Sequence, residues 1–178
     1  MYISQLDLAK IPKELLENGE TDQELYRNRP WRVNKNGREY PSGHYQRCQL
    51  TQDLEQWIKR NITQDYRDAG MAHMYGEEHN APHTDSGREY TLIYLTDLGG
   101  QCVKTVFYRE KGYDLIRPVH HRPNYDDLEQ VAEFQLELAT WYLIDSRIIH
   151  SVEGIETDRK SIQIGFDRRH AWAHKVFN

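Results

Sequence analysis

Apolar residues follow two different patterns along the chain, and the change comes near residue 70. Leu8, Ile11, Leu15 and Leu16 recur at near-helical spacing with Gly19 as a stop, which predicts a short helix. Leu54, Trp57, Ile58 and Ile62 repeat that period, with Asp53 and Glu55 where they complement the positive end of a helix, and predict a second one. The stretch between, through Pro30, Trp31, Gly37, Pro41 and Gly43, is rich in breakers and is expected to be irregular. Beyond residue 70 the apolar runs become short and rich in Tyr, Thr, Ile, Val and Phe, at 71–75, 90–95, 103–108, 140–145 and 161–166. Turn signals separate them, Gly99-Gly100 among them, so a sandwich or barrel is expected. Residues 134–138 and 161–166 alternate cleanly, as strands with two unlike faces do. Residues 111–127 have no period and read as a long excursion from the sheet, placed to cover a site as a lid.

The length, 178 residues, suits one domain, with 1–68 as helical and irregular support and 69–170 as the barrel core. Lys and Arg total 23 against 28 Asp and Glu, a formal charge of -5, the opposite of a phosphate-binding footprint, so no nucleic-acid partner is expected. Neither a signal-like start nor a long apolar window is present, so no membrane partner is expected and a cytoplasmic location is. Cys48 and Cys102 form no CxxC pattern and are expected to be free thiols. Oligomeric state has no signature in the sequence. The tail after Arg168-Arg169 is expected to dock through Trp172 and Phe177.

His83-Thr84-Asp85 precedes a predicted strand, and residues two apart on extended chain share a face, so an imidazole and a carboxylate are presented together. By itself a His-x-Asp arises by chance in a chain this rich in both residue types. The distal half changes the reading: His150 follows a predicted strand and the apolar pair Ile148-Ile149, and Arg159 comes soon after. Two histidines and one carboxylate make a facial triad that leaves positions open on a non-haem iron. Alternation then puts Arg159, Ser161 and Gln163 on one face of the last strand and Ile162, Ile164 and Phe166 on the other. A guanidinium on the polar row matches a carboxylate bidentately. His73, His79, His120 and His121 lack an acidic residue two positions further along the chain and are expected to be ordinary polar histidines, and Glu77-Glu78 a solvated turn.

The ordered set Tyr75, His83-Thr-Asp85, Arg88, Tyr94-Leu-Thr, Gly99-Gly100, His150-Ser-Val and Arg159-Lys-Ser161 resembles the Fe(II)/2-oxoglutarate-dependent oxygenases of the prolyl-hydroxylase-like type. The resemblance runs from about residue 71 to 167 and leaves out the first seventy residues. It implies a mainly β fold with flanking helices, a double-stranded β-helix of the jelly-roll or cupin-like kind. It also implies Fe(II) held by His83, Asp85 and His150, with 2-oxoglutarate and O2 as co-substrates. Arg159 would pair with the distal carboxylate of 2-oxoglutarate, Ser161 and Tyr94 would give it hydroxyl contacts, and Tyr75 would lie near co-substrate or substrate. Where the family often has Thr four residues before the strand tyrosine, this chain has Tyr90, with Thr91 displaced by one. The implied reaction is hydroxylation of an unactivated C–H bond in an amino acid, a peptidyl residue or a small metabolite, with release of succinate and CO2. Two other readings stay open: a cupin-type iron dioxygenase that needs no 2-oxoglutarate, and a jelly-roll binding module without catalysis. The nucleic-acid demethylating branch would carry a second arginine six residues after Arg159, where this chain has Gly165.

Overall fold

The computed structural model describes residues 1–28, 31–75, 80–117, 120–171 and 175. The strands in chain order are β1 (Ile3–Leu6), β2 (Glu20–Arg27), β3 (Arg32–Lys35), β4 (Arg38–Pro41), β5 (His44–Leu50), β6 (Asp68–Tyr75), β7 (Asn80–His83) and β8 (Tyr90–Leu98). They continue with β9 (Lys104–Glu110), β10 (Leu128–Phe134), β11 (Trp141–Asp145), β12 (Ile149–Glu153) and β13 (Arg159–Phe166). The helices are α1 (Lys13–Glu17) and α2 (Gln52–Asn61). The major sheet has seven strands in the order β1-β11-β8-β13-β6-β5-β2, and the minor sheet has four in the order β10-β9-β12-β7. From β6 to β13 the chain passes back and forth between the two, and every pairing is antiparallel. This is a jelly roll, the double-stranded β-helix that the resemblance implied.

Alternation decides which side of the major sheet each residue serves. Leu92, Tyr94, Ile162, Ile164 and Phe166 face α1 and α2 and join Leu54 and Ile58 in the largest apolar cluster. Asp53 and Glu55 occupy the first turn of α2 and Lys59 and Arg60 the last, so its charges complement the helix dipole at both ends. Leu54 and Ile58, four apart, are fully buried on the sheet, and truncating either to Ala would cost about 2–5 kcal/mol. The reverse face of the sheet turns toward the minor sheet and carries the polar row of Arg159, Ser161 and Gln163. No helix among the described residues is long and apolar enough to cross a membrane.

The first 68 residues depart from their expected irregularity. They contribute β1 and β2 as the two outer strands of the major sheet, β5 next to β2, and the β3–β4 hairpin. β2 is polar and mostly exposed, so it has no apolar period to betray it and is defined by pairing with β5. The hairpin turns on Asn36 and Gly37, both at positive φ (54° and 70°), as a two-residue turn requires. The strand expected at 134–138 lies earlier, as β10; the chain then turns through Ala139 at φ 53°, and Leu138 is left exposed. The excursion at 111–127 touches the barrel through an Ile116–Ile148 bridge and a short 3-10 turn, Tyr125–Asp127. His79, Glu77-Glu78 and the docking residues Trp172 and Phe177 lie outside the described residues.

Candidate metal centre and anion pocket

β7 delivers His83 at its last residue, and β12 delivers His150 directly opposite as its register partner. The two rings stand 4.7 Å apart. Each Nδ1 lies against a main-chain carbonyl two residues back, Ala81 O at 2.8 Å and Ile148 O at 2.9 Å. A carbonyl only accepts, so each Nδ1 carries the proton and each Nε2 keeps its lone pair for a metal.

Asp85 follows on a loop tied down from both sides: its N–H donates to Ser146 O, while Thr84 exchanges hydrogen bonds with His121. Its Oδ1 lies 3.5 Å from His83 Nε2 and 4.0 Å from His150 Nε2. Its Oδ2 accepts a hydrogen bond from Thr91 (2.9 Å), whose hydroxyl also meets Ser146 Oγ at 2.8 Å. One carboxylate oxygen is therefore oriented by the protein, and the other faces the two imidazoles. Burial alone would raise the Asp85 pKa. The His83 contact, the imidazole of His150 beside it and the Thr91 hydroxyl outweigh it and hold the carboxyl well below its usual range. Burial, with His83 alongside, pulls His150 down against the opposing pull of Asp85 and favours the neutral, ligating imidazole. The donor atoms of the triad all lie within 4.8 Å of one another.

The triad opens into a cavity of about 350 Å³ between the sheets, and Arg159 and Ser161 line the same cavity. Arg159 is only 5% exposed. It donates to Leu98 O at 2.9 Å and makes no ion pair among the described residues. Burial lowers its pKa to about 10, opposed by Asp97, so it remains a cation at neutral pH. A buried guanidinium in this condition is chemically suited to an anion. Gly99 explains how the turn beyond β8 comes so close: at φ +76°, a Cβ there would lie 2.7 Å from that of Arg159.

Tyr94 and Tyr75 are placed elsewhere. Tyr94 is three residues from Thr91, hence on the other face of β8, where it packs on Trp141 (ring centroids 4.8 Å) within the helix-side core. Tyr75 also faces away from the cavity, stacked on His73 and donating to Gln46 Oε1 at 3.0 Å. The hydroxyl contacts expected of them have other candidates. Tyr45, whose phenol donates to Gln163 Oε1 at 2.8 Å, lines the cavity from β5. Trp31 and Arg122 meet at the wall, guanidinium over indole at 4.3 Å. Tyr45 and Trp31 come from the region with no readable period, so nothing in the sequence pointed to them. Arg88 stood in the resembling set without a role, and it is tied here to Asp68 (3.0 Å) and lies 3.8 Å from Asp85. Arg47 shares Asp68 at 2.9 Å.

No family model matches the chain, and no curated protein matches it. Among solved structures, an X-ray structure of Escherichia coli YcfD aligns with 95% of this chain and 51% of its own, at 14% identity and a TM-score of 0.52. The Escherichia coli ribosomal oxygenase YcfD in complex with cobalt and 2-oxoglutarate aligns with 93% of this chain and 48% of its own, at 13% identity and a TM-score of 0.48. An oxidoreductase of the 2OG-Fe(II) oxygenase family from Burkholderia pseudomallei aligns with 79% of this chain and 75% of its own, at 13% identity and a TM-score of 0.45. The chain thus spans about half the length of YcfD. At 14% identity the likeness to YcfD is one of fold, and it agrees with the double-stranded β-helix built above.

Proposed function

We propose that this chain is an Fe(II)- and 2-oxoglutarate-dependent oxygenase that hydroxylates an unactivated C–H bond of a small molecule or peptidyl residue. The observation that carries the reading is a conjunction. Two imidazoles with free Nε2 lone pairs and one ionised carboxylate converge in the same cavity as a buried arginine that has no anionic partner among the described residues. The donor set suits iron, and the lone guanidinium suits the distal carboxylate of an oxoacid.

His83, Asp85 and His150 would hold the metal from one side, leaving its other positions toward the cavity. Bound Fe(II) supplies activation of O2, coupled to conversion of 2-oxoglutarate to succinate and CO2. Thr91 and the carbonyls of Ala81 and Ile148 keep the ligands aimed. Arg159 fixes the far end of the co-substrate, with Ser161 beside it on β13. Ile93, Ile144 and Val152 contribute the apolar wall that keeps bulk water away. The remaining wall is rich in guanidinium groups, Arg47, Arg67, Arg88 and Arg122, faced by Asp68 and Asp85, which favours a substrate bearing an acidic group.

Anaerobic reconstitution with Fe(II) followed by 2-oxoglutarate tests this. The expected result is the weak visible charge-transfer absorption of an iron-chelated oxoacid, diminished in both His83→Ala and Arg159→Ala. Iron binding without that absorption would favour a cupin-type dioxygenase, and failure to bind iron would favour the binding module.

A further inference from the structure

We propose that Glu20, Cys48 and His73 form a second metal site, for a divalent cation of the zinc class, on the face of the major sheet opposite the cavity. The three residues come from adjacent strands, β2, β5 and β6, so their side chains lie side by side across the sheet. β6 turns Asp68 and Met74 to the cavity and His73 to the reverse face; β5 does the same with Tyr45 and Arg47 against Cys48. An ion held here is therefore separated from His83, Asp85 and His150 by the sheet itself.

One oxygen, one sulfur and one nitrogen donor from the three side chains all lie within 4.8 Å of one another. Neighbouring donors on a tetrahedral zinc stand about 3.5 Å apart, so closure needs shifts of about an ångström. Without a metal, His73 Nε2 meets Glu20 Oε2 in a short hydrogen bond that accounts for those two residues and leaves the Cys48 thiol as a third donor. Thiol, imidazole and carboxylate together select a borderline-soft ion over Mg²⁺ or Ca²⁺. On binding, the Cys48 thiol would release its proton, and the thiolate and Glu20 carboxylate would balance the dication.

The neighbouring side chains hold these three in position. Lys160 Nζ lies 3.8 Å from Glu20 Oε1, the oxygen that His73 does not use. Tyr75 stacks on the His73 ring at 12° between planes, and the Gln46 amide donates to Cys48 Sγ at 3.6 Å. Cys48 and His73 are buried, while the Glu20 side chain is 31% exposed and opens a route for the ion and for water as fourth ligand. The site also has something to hold: β2 is an outer strand whose pairing with β5 shifts register between Glu20 and Glu24 and again before Tyr26. A metal at its first residue would fix the strand where the backbone ladder is weakest.

The test is a Co(II) titration of the metal-free full chain, read in the near ultraviolet where thiolate-to-cobalt charge transfer absorbs. A band saturating within two equivalents is expected, and at one equivalent in His83→Ala, where it is erased by stoichiometric Zn(II) and untouched by excess Mg(II). It should be lost in Cys48→Ser, weakened in His73→Gln, and retained in Cys102→Ser and in His83→Ala. Because His83→Ala disables only the other centre, this result stands whether or not the oxygenase reading does. A wild-type protein with no thiolate band would overturn the proposal even if the Cys48 variant failed to fold. So would a band that survives Cys48→Ser and disappears in Cys102→Ser.

Discussion

His83 and His150 are register partners across β7 and β12, and each ring is locked by the main-chain carbonyl two residues before it. Removing either imidazole deletes a ligand and leaves the fold-bearing helix-side core untouched. Fe(II) affinity in His150→Ala should fall by more than the roughly 10–100-fold expected for loss of a supporting group. An anaerobic Fe(II) titration against an unchanged circular dichroism spectrum checks it.

Thr91 and Tyr94 lie on the same strand and should behave oppositely. Thr91→Val removes the hydroxyl that orients Asp85 and should weaken Fe(II) binding by roughly 10–100-fold. Tyr94→Phe should leave Fe(II) binding unchanged. It removes a buried hydroxyl beside the backbone of Ile11 and should cost no more than about 0.5–1.5 kcal/mol of stability, read by denaturant unfolding.

Arg159 offers a charged, directional contact that Lys cannot reproduce. Loss of such a contact is worth about 1.5–3 kcal/mol, so Arg159→Ala should raise the apparent dissociation constant for 2-oxoglutarate by roughly 10- to 150-fold. Arg159→Lys should recover only part of it. Binding to the Fe(II) protein, measured calorimetrically without O2, separates this from any loss of iron.

Glu153 sits at the end of β12 and accepts hydrogen bonds from Tyr108, from Ser151 at 2.9 Å and from Tyr125 at 3.0 Å. Burial would raise its pKa, but these donors and Lys35 hold it below the ordinary value of 4.5. Its folded pKa is depressed, so its stabilisation is complete above the unfolded value and disappears as pH falls through the folded one. Glu153→Gln should lower stability at neutral pH by about 1–3 kcal/mol and flatten the acid limb of the stability profile. Urea melts at a series of pH values from neutral to acid read both effects.

Gly165 lies on the cavity face of β13, where a Cβ would come within 2.7 Å of Arg88 Cδ and Nε. Gly165→Ala should destabilise by about 1–3 kcal/mol through this crowding. Adding Arg88→Ala should recover part of the loss, and a non-additive double-mutant cycle would show that the two positions share one space.

Much of this was legible from period and order. The polar and apolar faces of β13, the position of α2 and the convergence of His83, Asp85 and His150 follow from alternation, spacing and the resembling set. Tyr94 was assigned to the cavity by resemblance, although the same period-two rule, counted from Thr91, sends it to the helices. Asn36-Gly37 carried a hairpin signal that the surrounding breakers obscured. β2 could not be read at all, since a polar outer strand is specified by its neighbour rather than by its own sequence. Tyr45 on β5 and Trp31 just before β3 reach the cavity from the breaker-rich stretch, which is why this part of its wall had no trace in the motif.

β7 is four residues long and meets β12 in register only at His83–His150 and Asn80–Val152. These partners are distant in sequence, so the pair is expected to close late in folding. A ligand that recognises the closed pair binds the native state and has little to grip in the folding transition state. Fe(II) should therefore slow unfolding while leaving the refolding rate nearly unchanged, making residence time in the folded state, rather than speed of reaching it, the quantity that metal supply controls.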